Sequence, residues 1–174
     1  MNRKIKVESP GRINLIGEHV DYNGGSVLPG AIDKKVEFLI ENIEGNKCII
    51  ESKTINKKFE FEFSNLKKSN EHWQNYIIGT VNNIINKKKQ TISSFKCVIK
   101  SSLPIGAGIS SSSALISGLA YGLIEINNLQ IDKNEIVDIV SDVEHNYIGL
   151  KGGIMDQFTI PVSYTHLTLP TTYE

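Results

Sequence analysis

Three clusters of polar residues in this chain have types and spacings suited to chemistry on phosphates and hydroxyls. In residues 11–25, two carboxylates and an imidazole (Glu18, His19 and Asp21) lie among glycines. Together these groups can accept hydrogen bonds from neighbouring hydroxyls and donate hydrogen bonds to them, which suits recognition of a polyol. Arg12 adds a permanent cation that can face a phosphate or a developing alkoxide. Taken singly, each of these residues is more typical of a solvated surface.

The second cluster is a loop rich in glycine and serine that joins a predicted strand to a predicted helix. Two glycines allow the backbone to approach an anion and to adopt positive φ, and the serines add hydroxyls at a helix N-terminus that favours phosphate. The candidate phosphate-binding residues are Gly106, Ala107, Gly108, Ile109, Ser110, Ser111 and Ser112. No Gly-Lys-Ser/Thr follows, so the loop is not a Walker A motif. A flexible connector is the alternative interpretation.

The third cluster offers acids. Asp156 follows a glycine-supported apolar turn, and Glu144 lies 12 positions upstream (156 minus 144), near the end of a predicted helix. Phosphoryl transfer needs an acid near the acceptor hydroxyl and an oxygen ligand for Mg²⁺. These two carboxylates are the candidates, although an exposed position on the helix surface is equally compatible with Glu144.

Composition limits the class of protein. The chain has 174 residues, enough for one domain with a core, and its 19 Lys and Arg balance 19 Asp and Glu. That balance argues against a general nucleic-acid or membrane binder. Cys48 and Cys97 match no zinc or CxxC spacing, so we expect buried free thiols. The amino terminus lacks a signal-like apolar stretch, and residues 114–126 are too short to span a membrane, so we expect a soluble cytoplasmic protein.

Strands and helices must position these clusters. Strands are predicted over residues 4–8, 36–43, 47–53, 59–63 and 95–100, and helices over residues 73–85, 110–126 and 132–147. The Pro10-Gly11 pair is predicted to end the first strand. A capping box at Asp132 and Glu135 begins the last helix, and Gly149 ends it. Strands come first and helices are interleaved late, which favours an α+β domain over a doubly wound sheet.

The carboxy-terminal segment differs from the rest. The body is rich in Ile, Asn and Lys, whereas residues 162–171 contain none of them. The transposon-type adapter GTC TCT TAT ACA CAT CTG ACG CTG CCG ACG encodes that decapeptide. We therefore expect residues 161–174 to be a non-native tail, with native sequence that stops at Ile160, and we leave the tail out of the fold prediction. A native polar terminus is the alternative.

In this order, the three clusters resemble the three motifs of the GHMP small-molecule kinases. The run GRINLIGEHVDYNGGSVLP at residues 11–29 resembles the signature of the galactokinase family within that group. Mevalonate and homoserine kinases share the glycine- and serine-rich loop but lack this opening, and N-acetylgalactosamine kinases differ around Asn23. The resemblance covers residues 5–160. It implies the GHMP kinase amino-terminal domain, a fold similar to ribosomal protein S5 domain 2.

The resemblance also implies roles in catalysis and sugar binding. Arg12 would lie near the sugar C1 hydroxyl and the γ-phosphate and stabilise charge in the transition state. Asp156 would contact the C1 hydroxyl, either as a base or as an electrostatic aid. The sugar hydroxyls would be bound by Glu18, His19, Asp21 and Gly153.

For the nucleotide, the resemblance implies that residues 106–112 cradle the phosphates of ATP. Ser111 or Ser112 would hold Mg²⁺ together with Glu144. Trp73 would border the adenine, with a position in the core as the alternative.

The implied activity is phosphorylation of D-galactose at its anomeric hydroxyl by a cytoplasmic, monomeric enzyme, with ATP and Mg²⁺ as cofactors. The family's carboxy-terminal domain completes the active site and is missing here, so we expect the chain to be an incomplete fragment. The alternatives are a non-catalytic sensor of galactose and ATP and a kinase for a related sugar. The chain departs from the family pattern at Gly152, where Cys or Ser is common, and at Lys151.

Overall fold

The computed structural model of the protein describes residues 3–17, 20–104, 106–151, 153, 155–162 and 166–168. Within these residues, six strands form one sheet: β1 (Lys4–Ile16), β2 (Leu28–Asn42), β3 (Lys47–Ser52), β4 (Lys57–Glu62), β5 (Phe95–Ser101) and β6 (His166–Thr168). The α-helices are α1 (His72–Asn82), α2 (Ser111–Ile126), α3 (Lys133–Asp142) and α4 (Met155–Val162). A 3₁₀ turn covers Asp21–Asn23, and π-helical turns at Asn83–Lys87 and Val143–Ile148 extend α1 and α3.

The sheet is mixed, with the strand order β4-β3-β5-β2-β1-β6. β3 and β5 pair in parallel, and every other neighbouring pair is antiparallel. Because parallel neighbours need a crossover, the chain passes through β4 and α1 before it enters β5. The helices pack beside this sheet, and α2 and α4 each contact both β1 and β2. The predicted α+β class is confirmed.

Two glycines of α2 allow this helix to lie close to the sheet. A Cβ added at Gly118 would clash with the ring of Phe38, and one added at Gly122 would clash with Cδ1 of Ile40. Phe38 and Ile40 are both fully buried. Residue 118 therefore faces a rigid ring, whereas residue 122 chiefly faces the terminal methyl group of Ile40, with Cγ2 of Val7 next at 3.3 Å.

This difference predicts unequal effects on stability. We expect Gly118→Ala to lower the free energy of unfolding by about 1–3 kcal/mol, since overpacking forces the Phe38 ring or the helix to move. Gly122→Ala is the matched control and should cost less, because Ile40 can change rotamer. Urea unfolding of the two variants measures both costs. The opposite ranking would show that α2 does not approach β2 as described.

The β1–β2 hairpin is longer than the sequence predicted, so the predicted end of the first strand at Pro10-Gly11 is wrong. β1 continues through both residues to Ile16, with a register shift between Pro10 and Arg12. Gly11 is buried, and a Cβ there would lie 2.6 Å from Cδ2 of Leu103. Proline is tolerated at an irregular pairing because the missing N–H is not needed there.

The predicted helices are confirmed, with adjustments at their ends. Val143–Ile148 continues α3 as a π-helical turn, and Gly149 ends it at φ 89°. The capping box of Asp132 and Glu135 is formed in both directions. Ser110 precedes α2 as its N-cap instead of belonging to the helix.

Residues 161, 162 and 166–168, which belong to the predicted non-native tail, take part in the fold. α4 runs through the buried Pro161 to Val162. His166–Thr168 pairs antiparallel with residues 6–8 at the edge of the sheet. Backbone pairing at an open edge requires no particular side chains, so the non-native origin of the tail stays a prediction.

The two cysteines are buried free thiols, as predicted. Burial raises the pKa of the Cys48 thiol to about 11 and raises that of Cys97 as well. Both groups therefore stay protonated at neutral pH. Among the described helices, none has the combination of length and apolarity needed to cross a membrane.

Candidate functional site

Arg12 joins the first and third sequence clusters. Its Nε donates to Asp156 Oδ1 at 2.5 Å, and its Nη1 donates to the Gly108 carbonyl oxygen at 2.7 Å. Its backbone N–H donates to the carbonyl oxygen of Ile109 at 3.2 Å. The side chain of Arg12 is 12% exposed and that of Asp156 is 27% exposed. The two predicted catalytic side chains therefore form a shielded, charge-assisted pair beside the glycine- and serine-rich loop.

The loop contains residues in the left-handed backbone conformation, which residues with a Cβ rarely adopt. Gly106 and Gly108 have φ of 74° and 67°, and Ser110 has φ of 58°. The left-handed region costs a residue with a Cβ roughly 1–2 kcal/mol, so Ser110 is held there by its surroundings. Strain of this kind is concentrated at ligand-binding sites. The glycines at 106 and 108 meet the requirement for positive φ that the sequence predicted.

The loop leads directly into α2, a helix of 16 residues. Ser110, at its N-cap, makes no side-chain capping hydrogen bond, and its Oγ is buried without a partner among the described residues. Unsatisfied N–H groups at a helix N-terminus favour an anion. The arrangement is suited to phosphate.

Glu144 is 4% exposed, and its side-chain carboxylate accepts three hydrogen bonds. Ser112 Oγ and Ser113 Oγ donate to its Oε1 at 2.7 and 2.8 Å. Gln157 Nε2 donates to its Oε2 at 2.6 Å. The alternative of an exposed helix-surface carboxylate is therefore wrong. The π-helical turn that carries Glu144 holds its carboxylate between α2 and α4.

Burial is the main influence on the pKa of Glu144 and raises it above the usual value. The hydrogen bonds from Ser112, Ser113 and Gln157 act in the opposite direction, and the negative charge of Asp156 raises the pKa further. Burial disfavours the charged form of a carboxylate unless positive charge is nearby. A cation bound beside Glu144 would offset that cost.

The donor atoms around Glu144 suit a hard cation. Glu144 and Ser112 provide oxygen, the ligand atom that Mg²⁺ prefers. Within the described part of the chain, no group of three or more His, Cys, Asp or Glu side chains could hold a metal. Mg²⁺ is usually bound by one or two carboxylates together with substrate phosphates, so this sparse set fits an ion that arrives with a nucleotide.

Of the two serines predicted as metal ligands, Ser112 contacts Glu144, and no such hydrogen bond is described for Ser111. Sequence reasoning missed Ser113 and Gln157. Ser113 is the fourth serine of the run, and Gln157 directly follows the predicted acid, so both lay beside residues that were singled out. No sequence signal indicated that either would contact Glu144.

A cavity of about 520 Å³ opens beside the amino terminus of α2. Ser111 and Ser112 line it together with Trp73 and Tyr76 of α1. Trp73 also packs edge-on against Phe59, with ring centroids 5.1 Å apart. The position of Trp73 against the core is confirmed. Its side chain also lines a cavity of a size typical for a small ligand, and its place beside an adenine stays a prediction.

Asp21 lies against the amino terminus of α4. Its Oδ2 accepts a hydrogen bond from the Met155 backbone N–H at 3.3 Å. A Cβ added at Gly153 would clash with the same carboxylate. The structure thus brings together Asp21 and Gly153, two of the predicted sugar-binding residues. Glu18 and His19, the other two, lie outside the described residues.

Comparison with known families gives two matches. The family described as GHMP kinases N terminal domain matches residues 75–163. The galactokinase galactose-binding signature matches residues 2–41. The first match contains the glycine- and serine-rich loop, Glu144 and Asp156, and the second contains Arg12 and Asp21.

Curated relatives include the galactokinase of Thermosipho africanus, 46% identical over 154 residues, which are 88% of this chain and 42% of that protein. The galactokinase of Thermotoga maritima is 42% identical over 155 residues, which are 89% of this chain and 43% of that protein. The chain therefore spans less than half the length of these relatives.

Solved kinase structures are also similar to this chain. Lactococcus lactis galactokinase complexed with galactose has a TM-score of 0.84 and 30% sequence identity, over 95% of this chain and 47% of that one. Methanococcus jannaschii mevalonate kinase has a TM-score of 0.79 at 24% identity, over 94% of this chain and 53% of that one. At that identity the second similarity concerns the fold alone.

Proposed function

The chain belongs to the GHMP kinase family, and from this membership we propose that it is the amino-terminal part of a galactokinase. The proposed reaction transfers the γ-phosphoryl group of ATP to the anomeric hydroxyl of D-galactose. The observation that carries the proposal is the contact of Arg12 with both Asp156 and the Gly108 carbonyl. It joins a candidate proton acceptor, a cation and the candidate phosphate-binding loop in one site.

Galactose is the proposed sugar because of the segment that carries Arg12 and Asp21. The galactose-binding signature matches this segment. The structure of Lactococcus lactis galactokinase is similar to 95% of the present chain. The pairing of Asp21 with the amino terminus of α4 supports the proposal, because it sets a candidate sugar ligand beside the helix that carries Asp156.

In the proposed mechanism the proton of the C1 hydroxyl passes to Asp156 while that oxygen forms a bond to the γ-phosphorus. The bond from the γ-phosphorus to the bridging oxygen breaks, and ADP leaves with the bonding pair. Arg12 orients the Asp156 carboxylate and stabilises the negative charge on the transferred group. If Asp156 does not accept this proton, its negative charge assists the reaction electrostatically at the C1 hydroxyl.

For the nucleotide, we propose that residues 106–112 bind the phosphates and that the cavity beside Trp73 takes the adenine. Glu144 and Ser112 would hold Mg²⁺, which when bound neutralises charge on phosphate oxygens. The cytoplasmic location and the monomeric state stay predictions. So does the division of the chain into a domain at residues 1–160 and a non-native tail at residues 161–174.

The test is an assay of the full-length protein that carries this chain. We expect ADP release from Mg²⁺·ATP that depends on galactose and is much slower with glucose, N-acetylgalactosamine or mevalonate. No sugar-dependent release would contradict the proposal. Binding of both ATP and galactose without ADP release would identify the sensor, and a preference for another sugar would identify a related kinase.

Asp21→Ala should raise the galactose KM by about tenfold, since a hydrogen bond to a charged group typically contributes about 1.5–3 kcal/mol, and should lower kcat less. Steady-state kinetics at saturating ATP measures both constants. The control is Asp33→Ala, an exposed carboxylate of the same hairpin that should alter neither. A larger fall in kcat than rise in KM would move Asp21 into the chemistry.

A further inference from the structure

Gln157 is a buried polar residue to which the proposed mechanism assigns no role. It is 4% exposed on α4, and its Nε2 donates to Glu144 Oε2 at 2.6 Å. Its Oε1 is buried without a hydrogen-bond partner among the described residues. A buried amide with one strong contact to a carboxylate is costly unless the contact is maintained.

The position of Gln157 in α4 connects two parts of the site. Successive residues of an α-helix point about 100° apart. Asp156 accordingly faces Arg12, and Gln157, the next residue, faces Glu144. The first turn of α4 therefore carries the candidate proton acceptor and, beside it, a hydrogen-bond donor to the candidate metal ligand.

The carboxylate of Glu144 is fixed from two sides. Ser112 and Ser113 donate to Oε1 from α2, and Gln157 donates to Oε2 from α4. Rotation of the carboxylate would break contacts to one helix or the other. Among the hydrogen bonds described for the Glu144 carboxylate, the one from Gln157 is the only one that comes from α4. Gln157 therefore fixes the rotation of this carboxylate from that side. Being an amide, it does so without adding negative charge beside Glu144 and Asp156.

We propose that Gln157 is a positioning residue for the metal–nucleotide site. Its amide holds the Glu144 carboxylate in the orientation that binds Mg²⁺·ATP and couples that carboxylate to the helix of Asp156. This inference rests on the proposed kinase function. Groups that orient metal ligands typically change metal affinity about 10- to 100-fold when they are removed.

The test is Gln157→Met in the full-length protein, which keeps an unbranched side chain of similar length and removes the amide. Mn²⁺, which is visible by electron paramagnetic resonance, replaces Mg²⁺ in a titration with ATP. We expect the dissociation constant of Mn²⁺·ATP to rise about tenfold. The galactose KM should stay within about twofold, and saturating Mg²⁺ should restore at least about half of kcat.

The matched control is Thr159→Val on the same helix. Thr159 is buried and donates to the Met155 carbonyl oxygen at 2.6 Å. This variant also removes a buried hydrogen bond from α4, but it leaves the contact to Glu144 in place. It should lower the Tm without altering Mn²⁺·ATP binding. If Gln157→Met does not fold, Gln157→Asn, which is one methylene too short to keep the contact, replaces it with the same expected direction.

An unchanged Mn²⁺·ATP dissociation constant in a folded Gln157 variant would overturn the proposal, and so would an equal rise in the Thr159 control. The proposed function fails separately. If the wild-type protein binds Mn²⁺·ATP but releases no ADP with galactose, the proposed function is wrong, and the role of Gln157 is still decided by the binding constants. If wild-type turnover is normal and Gln157→Met binds like wild type, only the positioning role is wrong.

Discussion

Asp156→Asn in the full-length protein should lower kcat by more than about tenfold, and by about 10²- to 10⁴-fold if the carboxylate accepts the proton of the C1 hydroxyl. Asn keeps the shape and can still accept a hydrogen bond from Arg12, so the fold should survive. Steady-state ADP release at saturating galactose and Mg²⁺·ATP measures the loss, and circular dichroism checks the fold.

The matched control is Asp142→Asn. Asp142 is similarly shielded and accepts hydrogen bonds from Asn83, Asn146 and Lys87 instead of from site residues. Its replacement should lower stability slightly and leave kcat within about twofold. An unchanged kcat in Asp156→Asn would exclude this residue from the chemistry.

Arg12→Ala is expected to have a comparable effect, a loss of more than about tenfold in kcat. The change removes the cation beside the reacting groups, leaves the Asp156 carboxylate without its ion pair and takes a donor from the Gly108 carbonyl. Arg12→Lys should recover only part of the loss, because one ammonium cannot reproduce the planar fork that reaches both acceptors.

Lys35→Ala is the control on the same hairpin. Lys35 forms an ion pair with Glu8 near the surface, and pairs of this kind contribute about 0–1 kcal/mol. Its removal should leave kcat and KM unchanged. If Arg12→Ala retained wild-type kcat while it melted at a lower temperature, Arg12 would have a structural role alone.

Elements with strong local signals could be predicted from the sequence. The capping box at Asp132 and Glu135 depends on residues three positions apart, and the left-handed end at Gly149 depends on one residue. The period-two alternation of β4 and the helical period of α1 are also local patterns. Local hydrogen bonds and local steric limits determine these features wherever the segment is placed.

Features that depend on contacts between distant segments could not be predicted in this way. The charge pattern around Glu144 was equally compatible with an exposed carboxylate, and only the packing of α2 and α4 against its π-helical turn buries it. Ser113 and Gln157 acquire their roles from the same packing. The extension of β1 past Pro10 depends on pairing with β2, which a local turn signal cannot reveal.

The Arg12–Asp156 pair joins residues 144 positions apart in the chain. A ribosome adds about 5–20 residues per second, so roughly 7–30 s separate the synthesis of the two partners. The β1–β2 hairpin can form early in this interval, but its arginine then has no counter-ion and Asp21 has no helix to cap. A polypeptide released before residue 156 would carry an unneutralised cation in a partly shielded position. The Arg12–Asp156 pair therefore forms only when α4 emerges, so translational pausing in that interval would prolong exposure of the unpaired hairpin to proteases and chaperones.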